Sequence, residues 1–127
     1  MKIFKYRTFH QWAKKEKVSD LDLKKAIVEM EKGLITANLG NGLFKQRIAR
    51  KGQGKRSGYR TILAFKKGDR AFFMYGFAKN ERDNINSKEE LVYKKLASYY
   101  LEIPSSKLGS LIEIGELYEV KNHEKTN

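Results

Sequence analysis

The chain has no cysteine, a single proline, a single tryptophan and two histidines in 127 residues. Without cysteine there are no disulfides, no thiolate nucleophile and no cysteine-based zinc site. That composition fits a reducing compartment. His10 and His123 lie near opposite ends of the sequence and offer no ligand pair at metal-binding spacing. His10 reads as a structural residue beside Phe9 and Trp12, and His123 as a solvated one in the polar tail. The carboxylates fall mostly on helix faces, with no Asp-x-Asp pair on a strand, and no elbow motif surrounds a serine. No stretch approaches the roughly 20 apolar residues of a membrane span. The opening Met-Lys-Ile-Phe-Lys-Tyr-Arg holds no apolar run of signal-peptide length. The expectation is a soluble, cytoplasmic protein with no membrane partner, no metal and no cofactor.

Acidic residues are missing from one place in particular. Between Lys45 and Arg60 there are seven cationic side chains (Lys45, Arg47, Arg50, Lys51, Lys55, Arg56, Arg60) and no carboxylate. The whole chain carries 27 lysines and arginines against 15 acidic residues, a formal net charge of +12. The excess is uneven, since from Glu102 onward five glutamates face three lysines. A cationic run that nothing nearby neutralises repels itself and persists where an anionic partner uses it, and nucleic-acid phosphate is the first partner to consider. Gly52, Gly54 and Gly58 interrupt the run and let the backbone come close to a ligand. The segment Gly52-x-Gly54-Lys55-Arg56-Ser57 departs from a nucleotide-binding loop, because Ala49 stands five before Gly54 and Arg56 follows Lys55. It reads as a flexible basic loop.

Hydrophobic periodicity gives the order of elements. Ile3, Phe4 and Tyr6 suggest a first strand. Phe9, Trp12, Ala13 and Glu16 place a helix over Thr8 to Lys17. Ser19 with Asp22 resembles a capping box, and Leu23, Ala26, Ile27, Met30 and Leu34 form the apolar face of the helix behind it, up to Gly33. Asn38 to Gly42 reads as a turn. Leu43 to Ala49 alternates, with Leu43, Lys45, Arg47 and Ala49 on one side and Phe44, Gln46 and Ile48 on the other. Gly52 to Gly58 is the loop, Tyr59 to Phe65 a strand, Lys66 to Asp69 a turn, and Ala71 to Phe77 an apolar central strand. Ser87-x-x-Glu90 caps a helix whose apolar face is Val92, Leu96, Tyr99, Tyr100 and Ile103. Pro104 stops it or opens the next one. Leu108, Leu111 and Ile112 suggest a short helix, and Leu117 to Val120 a last strand. The class is α+β: a small twisted, mainly antiparallel sheet packed against helices, β-α-α-β-β-β-α with a short C-terminal extension. Residues 1–120 form one domain and 121–127 a polar tail.

A second cluster, Tyr75-Gly76-Phe77-Ala78-Lys79-Asn80-Glu81-Arg82, follows the apolar strand into solvent. Adjacent strands can put Arg60 and Tyr75 on one sheet face, where cations, aromatics and a phenol converge without histidine. Such a set suits RNA cleavage by the 2′-hydroxyl. That reaction needs a base for the hydroxyl proton, an acid for the departing 5′ oxygen, and positive charge on the phosphorane-like transition state. Neighbouring cations disfavour a protonated lysine and so make it a better base. Arginine matches phosphate oxygens, and an aromatic ring stacks on an unpaired base. On spacing alone a plain nucleic-acid-binding surface remains the simpler reading, with Tyr75 in the core or at its rim and Glu81–Arg82 a solvated pair.

The run from Gly42 through Leu43-Phe44-Lys45-Gln46-Arg47 to Gly58-Tyr59-Arg60, followed by Phe72-Phe73-Met74-Tyr75-Gly76-Phe77-Ala78-Lys79-Asn80-Glu81, resembles the RelE/HigB-like toxins of type II toxin–antitoxin systems, in the RelE/ParE superfamily. The family pattern is an L-x-K-x-R strand, a G-K-G-K-x-G-G-x-R loop and strand, then Y-G-x-x-K-N-E. The likeness covers the central two-fifths of the chain closely. It implies a RelE-like α+β domain that inhibits translation by cutting mRNA, often on the ribosome, without metal or cofactor. It implies a partner antitoxin, a helix-turn-helix protein with an acidic segment, and operator DNA bound only through the toxin–antitoxin complex. Lys51, Lys55, Arg56, Arg60 and Lys79 match the cationic positions implicated in RNA binding and cleavage, and Tyr75 matches a position near that surface. In this reading Arg60, Lys79, Lys55 and Tyr75 are catalytic, while Lys45, Arg47, Arg50, Lys51, Lys55, Arg56 and Arg82 bind nucleic acid. Gln53 stands where the family often has a basic residue, and Ser57 replaces the first glycine of the usual pair. The alternatives are a ParE-like gyrase inhibitor and a non-enzymatic nucleic-acid-binding protein.

Overall fold

The longest alternating segments of the sequence become the centre of a six-stranded sheet. The computed structural model describes residues 1–50 and 54–121, and of Arg50 and residues 54–57 the backbone only. Strand β1 (Lys2–Tyr6) leads into helices α1 (Arg7–Glu16) and α2 (Asp20–Glu31). Strands β2 (Ala37–Gly40), β3 (Leu43–Arg50), β4 (Gly54–Lys66) and β5 (Arg70–Ala78) follow. Helices α3 (Ser87–Glu102) and α4 (Ser105–Glu113) and strand β6 (Leu117–Glu119) complete the described chain. The spatial order is β2-β3-β4-β5-β1-β6. Strand β1 runs parallel to β5, and the other pairings are antiparallel. This is the expected α+β architecture.

Period-two alternation splits the inner strands between two cores. On one face Phe44, Ile48, Tyr59, Leu63 and Phe73 pack with Phe9, Leu23, Ile27 and Met30 of α1 and α2. On the other, Leu43, Ile62, Phe72 and Met74 pack with Ala97 and Tyr100 of α3 and Leu108 of α4. Strand β5 is buried along almost its whole length, as its continuous apolar run requires between two helical layers. Gly76 has a steric reason: a Cβ there would overlap the ring of Trp12 on α1. The α1 helix therefore lies against bare backbone at that point.

Local signals explain most element ends. The Ser19 hydroxyl accepts the Asp22 amide at 3.1 Å, and the Asp22 carboxylate accepts the Ser19 amide at 2.9 Å, closing the expected capping box on α2. The Lys66–Asp69 turn closes with an Asp69 amide to Lys66 carbonyl bond of 3.0 Å and Gly68 at φ +74°. The buried Arg70 donates to the carbonyls of Tyr100 (3.2 Å) and Ile103 (2.7 Å) and to Ser105 Oγ (3.2 Å), fastening the joint between α3 and α4 to the sheet.

Several expectations need correction. Gly33 turns the chain at φ +87° beyond the end of α2. Leu34 is therefore 62% exposed rather than on the buried face. Ala37 to Gly40 is a short strand rather than the start of a turn, pairing Ala37 with Lys45 and Asn38 with Phe44. Strand β4 begins at Gly54, not Tyr59, because Gly54 still pairs with Arg50 across a register shift. The α3 N-cap is Asn86 with Glu89, one residue before the expected Ser87 and Glu90. Of the expected apolar face of α3, Tyr100 and Ile103 are buried and Leu96 is half-buried, whereas Val92 and Tyr99 are exposed and Ala97 is buried in their place.

Candidate nucleic-acid interface

Strand register places the expected cations. Arg47 on β3 lies opposite Arg60 on β4, and Arg60 lies opposite Phe77 on β5. In the next row of the same face, Lys45 lies opposite Ile62 and Ile62 opposite Tyr75. The row between them, Gln46 and Thr61, points to the other side. Lys45, Arg47, Arg60, Tyr75 and Phe77 therefore share the face that carries α3, and diagonal neighbours such as Arg60 and Tyr75 are about 7–8 Å apart at this geometry. The alternation read from Leu43 to Ala49 predicts this side for Lys45 and Arg47.

Arg47 is exposed, whereas Arg60 is only 5% exposed. Burial, and then the charge of Arg47, pulls the Arg60 guanidinium below its usual pKa. An arginine keeps its proton under such a shift. Lys79 is exposed in the turn after β5, and its amide donates to the Gly58 carbonyl at 3.3 Å. The backbones of Gly58 and Lys79 thus hold the end of β5 beside β4, two residues from Arg60. Lys51 lies outside the described residues, as do the side chains of Arg50, Lys55 and Arg56.

Arg82 bridges the end of β5 and the start of α3. Its amide donates to the Ala78 carbonyl at 3.1 Å. Its guanidinium donates to the Asn84 carbonyl (2.9 Å), to the Tyr75 hydroxyl (2.9 Å) and to Glu89 Oε1. The carboxylate partner of Arg82 is thus Glu89 and not Glu81, which is exposed. Glu89 and then Tyr75 raise the Arg82 pKa, and Arg82 and then the Asn86 amide lower that of Glu89. The Tyr75 ring is stacked on Tyr93 of α3, with centroids 5.8 Å apart and planes at 22°, and lies 5.7 Å from Phe77. Tyr75 is half-buried, its ring packed against Tyr93 and Phe77.

Glu89 and Tyr93 were not legible as site residues. Asn86-x-x-Glu89 and Ser87-x-x-Glu90 are equally good capping boxes in sequence, and only the reach of Arg82 across the connection selects the first. Tyr93 falls at i+4 from Glu89, which puts it on the same helix face. That spacing is the available signal, and it becomes informative once the cap is known.

His10 keeps a structural role, whereas His123 lies outside the described residues. His10 stacks on Tyr118 of β6, with centroids 3.8 Å apart and planes at 7°. Its pKa is lowered by burial, then by Lys5 and Lys14, while Asp20 opposes. No helix among the described residues is long and apolar enough to cross a membrane.

The assembled face holds cations from two strands, a packed phenol from a third and an arginine tethered at its edge, all of which suit a phosphate-bearing chain. No curated protein matches the chain. The family model described as the RelE toxin of the RelE / RelB toxin-antitoxin system matches residues 1–120. The chain belongs to the RelE toxin family, and is thus the toxin of a toxin–antitoxin system whose partner is an antitoxin.

Proposed function

We propose that this toxin is a metal-independent mRNA endoribonuclease that acts on the ribosome in the cytoplasm and so inhibits translation. The observation that carries the reading is the convergence of Lys45, Arg47, Arg60 and Tyr75 on one sheet face, with Arg82 tied to Tyr75 at its rim. In the reaction the ribose 2′-oxygen attacks the adjacent phosphorus and the bond to the 5′ oxygen breaks. The products carry a 2′,3′-cyclic phosphate and a 5′-hydroxyl. A base removes the 2′-hydroxyl proton and an acid returns one to the leaving oxygen. Arg60 stabilises the crowded negative charge of the transition state, and its burial strengthens that interaction. Lys79 and Tyr75 are the candidates for proton transfer. Lys55 and Arg56 hold phosphate, and Lys45, Arg47, Arg50, Lys51 and Arg82 guide the strand. The cations supply the charge a metal would otherwise provide.

The cognate antitoxin in this reading carries an acidic segment that covers the same face, which speeds encounter and masks the charge. Its helix-turn-helix part binds operator DNA, and the toxin reaches that DNA only through the complex.

Brief induction followed by primer extension on a cellular transcript, and on the same transcript with and without purified ribosomes, tests the reading. New 5′ ends within codons are expected. The Arg60→Ala/Lys79→Ala double variant should stay folded and relieve the arrest. Intact mRNA with DNA-damage signalling would instead indicate a gyrase inhibitor. An equally toxic double variant would place the site elsewhere.

A further inference from the structure

The same carboxylate oxygen of Glu89 serves two purposes. Oε1 accepts the Asn86 amide at 2.8 Å, completing the α3 capping box, and it also accepts the Arg82 guanidinium. A capping box needs only the first bond. Glu90, one residue on, is occupied with Lys94 at 3.2 Å and takes no part. The second bond ties the helix start to a side chain whose other donors reach the Asn84 carbonyl and the Tyr75 hydroxyl.

That arrangement determines the phenol's proton. Arginine has donors and no acceptor, so in the Arg82–Tyr75 bond the phenolic oxygen must accept. The Tyr75 proton is then left for a third group. Among the described residues the Tyr75 hydroxyl donates to no acceptor; Ile62 and Phe77 are its apolar strand neighbours on that face, and Tyr6 and Tyr93 share the face as phenols. The ring cannot swing away to find one, because Tyr93 and Phe77 pack against it. An anion laid across the face is the acceptor that fits, and on a nucleic acid that acceptor is a phosphate oxygen.

We propose that Glu89 is a positioning residue: it fixes Arg82, and Arg82 fixes the Tyr75 hydroxyl as a hydrogen-bond donor directed at a bound phosphodiester. The inference rests on the nucleic-acid reading of this face and adds a dependence of the site on the α3 cap. A bare cap and a positioning carboxylate are separable, because Asn86→Ala breaks the capping box and leaves the Glu89–Arg82 pair available.

The experiment compares the full-length toxin with Asn86→Ala, Glu89→Ala and Glu89→Gln. It reads Tm, the Arg82 Nε–Hε resonance (assigned from Arg82→Lys) and single-turnover cleavage of mRNA on ribosomes. Asn86→Ala and Glu89→Ala should each lower Tm by about 3–6 °C, as loss of a cap does. Only Glu89→Ala should broaden or lose the Arg82 resonance and slow cleavage, by about 100-fold with little change in KM. Glu89→Gln, which keeps an acceptor and the cap, should recover most of the rate. Equal cleavage by Asn86→Ala and Glu89→Ala, or an Arg82 resonance unchanged in Glu89→Ala, overturns the proposal. If the unmodified toxin cuts no RNA, the nuclease reading fails separately. The positioning claim is then decided by the Arg82 resonance and by binding of a single-stranded 2′-O-methyl oligonucleotide, which Glu89→Ala should weaken and Asn86→Ala should not.

Discussion

Arg47 and Arg60 face each other directly across β3 and β4, the first exposed and the second almost fully buried. Like charges in such a pair destabilise a sheet by roughly 0.2–1 kcal/mol. A fold has no use for that penalty. It is consistent with a surface kept for an anion at the expense of stability. Arg47→Gln should therefore stabilise the protein by about 0.2–1 kcal/mol in urea unfolding. It should weaken binding of single-stranded RNA and reduce the slope of log K against log salt by about 0.7. An unchanged slope would mean that Arg47 touches no phosphate.

Gly76 and Trp12 give a prediction about packing. A methyl group at Gly76 would collide with the indole that α1 lays across β5. Gly76→Ala should cost about 1–3 kcal/mol, the usual range for overpacking. Part of that loss should be recovered when Trp12 is shortened to Leu, and a double-mutant cycle in urea measures the coupling. Independent effects would show that Trp12 is not the obstacle.

Arg70 anchors the α3–α4 joint and stands apart from the candidate site. Arg70→Met removes the donors that meet the Tyr100 and Ile103 carbonyls. Leaving buried acceptors unmet costs about 1–3 kcal/mol. Thermal unfolding should show that loss, while RNA affinity of the folded variant stays at the original value. Arg70→Lys should recover little, since an ammonium cannot reproduce the guanidinium fork.

His10 sets a pH dependence. Its folded-state pKa lies below the ordinary 6.5. The unfolded chain therefore binds the proton more readily, and the stabilisation is present above about 6.5 and lost as pH falls towards the lowered value. Tm measured between pH 7 and 5 should fall less steeply in His10→Phe, which keeps a ring against Tyr118. Glu89, whose pKa lies below the ordinary 4.5, contributes in a separate window below that value. An identical slope for His10→Phe would show that His10 does not titrate against the fold in this range.

The central sheet was readable because β3, β4 and β5 obey one rule, alternation, over long runs. That rule placed Lys45 and Arg47 opposite Phe44, Gln46 and Ile48, and it left Arg60 free to share a face with Tyr75. Where a second contact decides between two good local signals, the sequence could not choose. Asn86 and Ser87 are equally good caps, and the Arg82–Glu89 bond selects between them. Strand β2 is four residues of turn-like composition that exist as a strand only because β3 lies alongside. Arg70 follows a turn and looks solvated, yet the carbonyl ends of α3, far away in sequence, draw it inside. Tyr75 and Arg82 stand in one legible cluster, but their partner Glu89 was not legible for the same reason: it comes from a helix beyond the connection.

The most direct test of the account replaces one ribose. A transcript carrying a single 2′-deoxynucleotide on the 5′ side of the mapped cut is given to the toxin on ribosomes, beside the unmodified transcript. If the face drives attack by the 2′-hydroxyl, the unmodified transcript yields a 2′,3′-cyclic phosphate and a 5′-hydroxyl, and the substituted one stays whole. Cleavage of the substituted transcript at the same position, or a 5′-phosphate on the product, would contradict it.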